Sequence, residues 1–195
     1  MFEDAYYINL DRRPDRREEM ETELLKLGIS ATRFPAIDME YGPTGCILSH
    51  LAVIKDARDR GLKSVLIFED DFTSTVSREV FDQTLERAKL HPCDVLMFAY
   101  NATIPESVND VVIRLIDAQA PSAYIVYASI YDSLISCYEY HASLLESTRQ
   151  HWIHMNDQCW KSLQQPYLFL GTHPKLGKQR AGFSDNTKSF CNYCV

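Results

Sequence analysis

Two short runs, Lys63 to Phe68 (KSVLIF) and Asp94 to Ala99 (DVLMFA), are apolar without a break and begin at charged residues. A half-exposed strand alternates apolar with polar residues, so an unbroken run of this length reads as a strand buried on both faces. Such strands need helices on both sides of their sheet, and the segments around the runs carry the helical period. Ala5 to Leu10 (AYYINL) is a further strand-like run, after which Pro14 and Asp15 open a helical segment with Met20, Leu24 and Leu27 on one face. Gly28 stands where a left-handed cap closes that helix, and Ala31 to Pro35 fits a second short strand. Gly45 to Arg60 places Leu48, Leu51, Ala52 and Ile54 on an apolar helical face that Gly61 ends. Ser77 to Leu90 is helical in pattern, while Val111 to Ile116 and Ser122 to Tyr127 read as two more strands. The alternation predicts an α/β fold with a mainly parallel central sheet flanked by helices, whose ligands gather beyond the carboxyl ends of the strands.

With 195 residues the chain suits a single domain over 1–195, its tail from about residue 188 loosely ordered. A composition of 46% hydrophobic and 24% charged residues excludes intrinsic disorder. Twenty basic against 27 acidic residues give a net charge of −7, which argues against broad binding to nucleic acid, so any phosphate site must be local. The longest apolar runs fall far short of the roughly 20 residues of a membrane span, and no secretory signal opens the chain. The expectation is a cytoplasmic protein, or one peripheral at a membrane. Six scattered cysteines suit reduced thiols; Cys191 and Cys194 form a lone CxxC, read as part of a reduced tail rather than a zinc site.

Glu69-Asp70-Asp71 directly follows the run VLIF, at the edge where an open α/β sheet binds ligands. Continued extension would turn Glu69 and Asp71 to one side and Asp70 to the other. Like charges a few ångströms apart stay solvated, take up a proton or share a cation, and hard oxygen ligands favour Mg²⁺ or Mn²⁺ held together with a phosphate. Arg12, Arg13, Arg16 and Arg17 crowd the end of the first strand, beside Asn9 and Asp11. They make a local anion site plausible, with Arg12 and Arg13 better placed than Arg16 and Arg17, which can pair with Asp15, Glu18 and Glu19 along a helix. Gly45 to His50 starts a helix whose free N–H groups favour a phosphate or a ribose hydroxyl; Ser49 and His50 lie near that start, and Cys46 reads as core packing. His151, His154 and Asp157 (HWIHMND) share one helical face by spacing but lack the HExxH pattern, so they read as surface histidines beside Asp157. The tyrosines at 124, 127, 131, 138 and 140 pack in the core or line a cleft. There is no GxxxxGK[ST], GxGxxG or GxSxG motif, which removes most of the weight from ATPases, dehydrogenases and serine hydrolases.

Several blocks in order resemble glycosyltransferase family 25: YYINLDRRPDRREEM, LGISATRFPAID, GPTGCILSH, SVLIFEDDF, APSAYIVYASIYDSL, MNDQCW and FSDNT, from Tyr6 to about Thr187. The resemblance implies a GT-A type nucleotide-sugar fold and transfer with inversion from a UDP-sugar, often UDP-galactose. On that basis Glu69, Asp70 and Asp71 match the acidic motif that holds Mn²⁺ on the diphosphate, with His173 as a further ligand. Asn9, Leu10, Asp11 and Arg12 match the strand end that cradles uridine, Asp38 the second block, and Gly45, Ser49 and His50 the nucleotide-facing helix. Asp157 is the first choice for the base that takes the acceptor proton, and Asp185 the second. The acceptor would be a glycan, a lipid-linked sugar or a protein side chain. Where many members end a Gln-rich late block with Ser-Asp-Ile, this chain has Lys178-Gln179-Arg180 and Ser184-Asp185-Asn186, which leaves the acceptor side least defined. Two alternatives share these residues: a catalytically inactive relative that binds a sugar nucleotide or acts in adhesion, and a metal-dependent sugar-nucleotide hydrolase.

Overall fold

The computed structural model describes residues 2–102, 105–107, 109–186 and 188–192, with 105–107 described by their backbone. Thr187 and Cys194 lie outside this set. Strand β1 (Asp4–Asn9) leads to α1 (Pro14–Leu27), β2 (Thr32–Pro35), α2 (Gly42–Asp59), β3 (Ser64–Glu69) and, after a tight turn, β4 (Phe72–Ser74). Next come α3 (Arg78–Ala88), β5 (Val95–Ala102), β6 (Pro105–Ser107), β7 (Val112–Leu115) and β8 (Ala118–Tyr127). The remainder holds α4 (Tyr131–Thr148), the short helices α5 (His151–His154) and α6 (Asn156–Cys159), and strands β9 (Phe169–Thr172), β10 (Gly177–Gln179), β11 (Gly182–Ser184) and β12 (Ser189–Cys191).

Eight strands form one sheet in the order β2-β1-β3-β8-β5-β9-β7-β6. Tracing the pairings, six of the eight run the same way and only β7 and β8 oppose them. The mainly parallel sheet is therefore present, with one antiparallel strand, β8, set between β3 and β5. That insertion brings the amino end of β8 to the edge where the parallel strands finish.

The core has two layers, as strand geometry demands. Along β3, Val65 and Ile67 face α2 and α4, whereas Leu66 and Phe68 face α1 and α3. Val95 and Met97 against Leu96 and Phe98 repeat the pattern on β5, which explains why residues 65–68 and 95–99 are apolar throughout. Met20, Leu24 and Leu27 are buried on α1, and Gly28 closes it at φ +63, donating to the carbonyls of Leu24 and Leu25. Tyr124, Tyr131 and Tyr138 are fully buried, while Tyr140 stands exposed. Among the described residues no helix is long and apolar enough to cross a membrane.

Candidate active site

Strands β1, β2 and β3 finish at one edge, and with the amino end of β8 they open on a cavity of about 870 Å³. Leu10 and Arg12 line it after β1, Asp38 after β2, and Glu69, Asp70 and Asp71 at the end of β3. Gly45, Ser49 and His50 enter from α2, Asp157 from α6 and Asp185 from the turn after β11. Residues drawn from across the sequence thus meet at one sheet edge.

The acidic run does not continue as a strand. Glu69 ends β3 and Asp70 and Asp71 form a turn, so Glu69 meets α2 while the two aspartates act together, contrary to the alternation expected of an extended run. One Arg16 nitrogen donates to Asp70 Oδ1 at 2.8 Å and to Asp71 Oδ2 at 3.1 Å. Asp70 Oδ2 accepts from Asn9 Nδ2 at 2.8 Å, and Asp71 Oδ2 also accepts from Gln179 at 3.1 Å. Asp71 Oδ1 is buried with no partner. Burial pushes the Asp71 carboxyl up to about 7, with Glu69's charge adding to it and Arg16 opposing it. Burial likewise pushes Glu69 up to about 8, with Asp157 and Asp70 adding. Glu69 keeps 23% side-chain exposure to the cavity, which moderates that cost.

These residues fit a hard divalent cation. An unpartnered, buried carboxylate oxygen beside a second carboxylate is a lone pair aimed at nothing in the protein, and ions such as Mg²⁺ or Mn²⁺ take oxygen ligands of this type. Arg16 meanwhile supplies the pair's one guanidinium partner.

Arg16 therefore belongs to the site, whereas Arg17 pairs with Glu21 along the helix surface. Arg12 meets Asp38 at 3.4 Å and Asp185 at 3.2 Å, and Arg13 meets the other Asp185 oxygen at 2.6 Å. Helix α2 starts earlier than expected, at Gly42, so Ser49 and His50 sit about two turns in and not at its free N–H groups. Ser49 Oγ donates to the Gly45 carbonyl at 2.7 Å and accepts from the Ile37 N–H at 2.8 Å, fixing the loop that carries Asp38. A Cβ on Gly45 would lie 2.2 Å from the Ile37 carbonyl oxygen, so this close approach needs glycine. His50 is buried, its Nδ1 2.7 Å from Tyr124 Oη and its Nε2 3.3 Å from Glu69, and burial pulls it down to about 4.

Asp157 Oδ2 accepts the Ala120 N–H at 3.1 Å, and Ala120 holds φ +55, a left-handed backbone that costs a non-glycine residue about 1 kcal/mol or more. The helix expected through HWIHMND is broken: Met155, at ψ 156, separates α5 from α6. His154 is buried and meets His141 at 2.8 Å, while His151 is exposed. Asn9 supports Asp70 and accepts from Arg33 at 3.0 Å without lining the cavity. Asp11 pairs with Arg33 instead of facing the cavity. His173, expected as a metal ligand, is exposed at the end of β9 and outside the cavity lining. Sequence reasoning missed Gln179, which only the β4–β10 pairing brings to Asp71, and placed Cys46 in the core although it lines the cavity. The i,i+4 spacing of Cys46 and His50 on one helix face was the available signal.

No family model matches the chain. A probable inactive glycosyltransferase 25 family member 3 of Bos taurus is 30% identical over 137 residues, 54% of this chain and 23% of that protein. A glycosyltransferase 25 family member of Drosophila melanogaster is 35% identical over 94 residues, 34% of this chain and 15% of that protein. Procollagen galactosyltransferase 1 of Danio rerio is 31% identical over 98 residues, 36% of this chain and 16% of that protein. Homologues of this chain are glycosyltransferase 25 family members. The matched segments span less than a quarter of those relatives' lengths. Among solved structures, a glycosyltransferase involved in glycosylating the major capsid of PBCV-1 aligns with TM-score 0.54 at 9% identity, covering 94% of this chain and 95% of that one. A197 from STIV aligns at 0.55 and 8% identity, covering 95% and 91%. The chain thus shares its fold with that glycosyltransferase, an α/β arrangement of the kind expected from the sequence.

Proposed function

We propose that the chain is an inverting, metal-dependent glycosyltransferase that moves a hexose, galactose first, from a UDP-sugar to a hydroxyl of a glycan, a lipid-linked sugar or a protein side chain. The observation that carries this reading is the Asp70–Asp71 turn at the end of β3, with Asp71 Oδ1 buried and unpartnered beside a cavity of about 870 Å³. Asp70 and Asp71 would hold Mn²⁺ or Mg²⁺, which when bound neutralises charge on the departing diphosphate. Arg12 and Arg16 face the same space and would bind the diphosphate oxygens. Leu10, Asp38 and the Gly45 turn would receive the nucleoside.

Inversion takes one displacement: the acceptor oxygen attacks the anomeric carbon, the bond from that carbon to the diphosphate breaks, and a carboxylate takes the hydroxyl proton. Asp157 is the better candidate because a single backbone N–H positions it, whereas arginines occupy both Asp185 oxygens. Asp185 would hold the β11–β12 hairpin over the cavity. Glu69, held protonated around neutrality by burial, is poorly suited to be the base. The name of one relative, procollagen galactosyltransferase 1, supports galactose as donor sugar and a protein among the acceptors.

A second reading, a relative that binds without transferring, draws on Arg16, whose guanidinium lies against both Asp70 and Asp71. The test is UDP release from a panel of UDP-sugars, with Mn²⁺ or chelator, in the wild type and Asp71→Ala. Metal-dependent release from one donor that vanishes in the variant and is accelerated by a hydroxyl acceptor supports the transferase, whereas release that no acceptor accelerates is that of a hydrolase. Binding of UDP without release or transfer to any acceptor supports the second reading, and no binding refutes both.

A further inference from the structure

We infer that Cys46, His50 and Glu69 form a second cation site, for a borderline-soft ion of the Zn²⁺ class, in the wall of the same cavity but distinct from the Asp70–Asp71 pair. One sulfur, one imidazole nitrogen and one carboxylate oxygen lie within 4.8 Å of one another. Tetrahedral Zn²⁺ with bonds of about 2.0–2.3 Å needs its ligand atoms about 3.3–3.8 Å apart, and the His50 Nε2 to Glu69 separation is already 3.3 Å. Small side-chain rotations complete the set.

The local structure supports this use. Cys46 and His50 are four apart on α2, so both project from one face toward the end of β3. Tyr124 Oη engages His50 Nδ1 at 2.7 Å, which leaves Nε2 turned to Glu69; a metal-bound imidazole is held by its other nitrogen in this way. Cys46 Sγ makes only a weak 3.9 Å contact to Asn156, so little is lost when it turns to an ion. Asp157 lines the same space and would face the open fourth position. The cavity provides the entry path. Mn²⁺ and Mg²⁺ prefer the all-oxygen pair, and a thiolate–imidazole–carboxylate set prefers Zn²⁺ or Co²⁺, so the two sites sort ions by chemistry.

This inference is independent of the transferase reading, and so is its test. The full reduced chain is titrated with Co²⁺. A thiolate-to-cobalt charge-transfer band that saturates at one ion is expected, lost in Cys46→Ser, kept in Asp71→Asn, and formed about 10–100-fold more weakly in Tyr124→Phe. If Cys46→Ser does not fold, the wild type still decides: Zn²⁺ should protect Cys46 from iodoacetamide while Cys93 and Cys137 react unchanged, as read by peptide mass spectrometry. Absence of the band, its survival in folded Cys46→Ser, or unchanged alkylation of Cys46 overturns the site. Loss of UDP release with the band intact would count against the transferase alone.

Discussion

Replacing Asp71 with Asn should make the protein's stability less sensitive to pH, by an amount that follows from its burial. Asp71 sits at 8% exposure, and its carboxyl is held near 7 against an ordinary 3.8. A carboxyl raised in the folded state binds its proton more tightly there than in the unfolded chain. Its favourable contribution is complete below pH 3.8 and is lost as pH rises through about 7. Between roughly pH 4.5 and 6.5 the folded state carries close to one extra proton, so stability falls by about 1.4 kcal/mol per pH unit from this group. Glu69, raised to about 8, adds a slope of the same sign that Asp71→Asn leaves in place. The readout is therefore the difference between two slopes. Urea unfolding of wild type and Asp71→Asn at pH 5, 5.5, 6 and 6.5, in chelator, should give a wild-type slope steeper by about 1 kcal/mol per pH unit. Saturating Mn²⁺ should flatten the wild-type slope, because an ion on the ionised pair offsets its repulsion, and should leave Asp71→Asn nearly unchanged. Equal slopes for the two proteins in chelator would refute the claim that burial of Asp71 outweighs the compensation it receives from Arg16.

Asp157→Asn should lower turnover by about 10²–10⁴-fold with UDP affinity unchanged, measured as kcat beside a direct binding titration; near-normal turnover would pass the base role to Asp185. Gly45→Ala should cost about 1–3 kcal/mol in urea unfolding, because its Cβ would meet the Ile37 carbonyl oxygen at 2.2 Å and neither backbone can yield freely. Trp160→Ala should cost about 3–5 kcal/mol in the same assay, since the ring is fully buried edge-on to Tyr124 and Phe169 and its N–H donates to the Ala118 carbonyl.

The layers were legible because β3 and β5 carry apolar side chains to both faces, and no other element of this length explains unbroken apolar runs. Helix ends were legible where one residue decides them, as at Gly28. The antiparallel direction of β8 was not, since Ser122 to Tyr127 has the same apolar character whichever way it runs between its neighbours. In the site, the Asp70–Asp71 pair was visible as a motif at a strand end, but its division from Glu69 was hidden. A turn at Asp70 overrides the strand period, and nothing local encodes that. Arg16 was ambiguous because its choice between helix-surface acids and a distant pair depends on how α1 docks against β3. His151, His154 and Asp157 looked coherent by spacing alone, and the extended Met155 undoes that spacing. Cys46 and His50 were neighbours on a helix face from the start; their shared partner, Glu69, comes from sheet packing.

The central claim is that the cavity beyond β3 is a nucleotide site completed by a divalent ion on Asp70 and Asp71. Calorimetric titration of UDP into the wild-type chain, with Mn²⁺ and then with chelator, tests it most directly. Saturable one-to-one binding that requires Mn²⁺ and is lost in Asp71→Ala is expected. UDP binding of equal strength in chelator, or none under either condition, would contradict it.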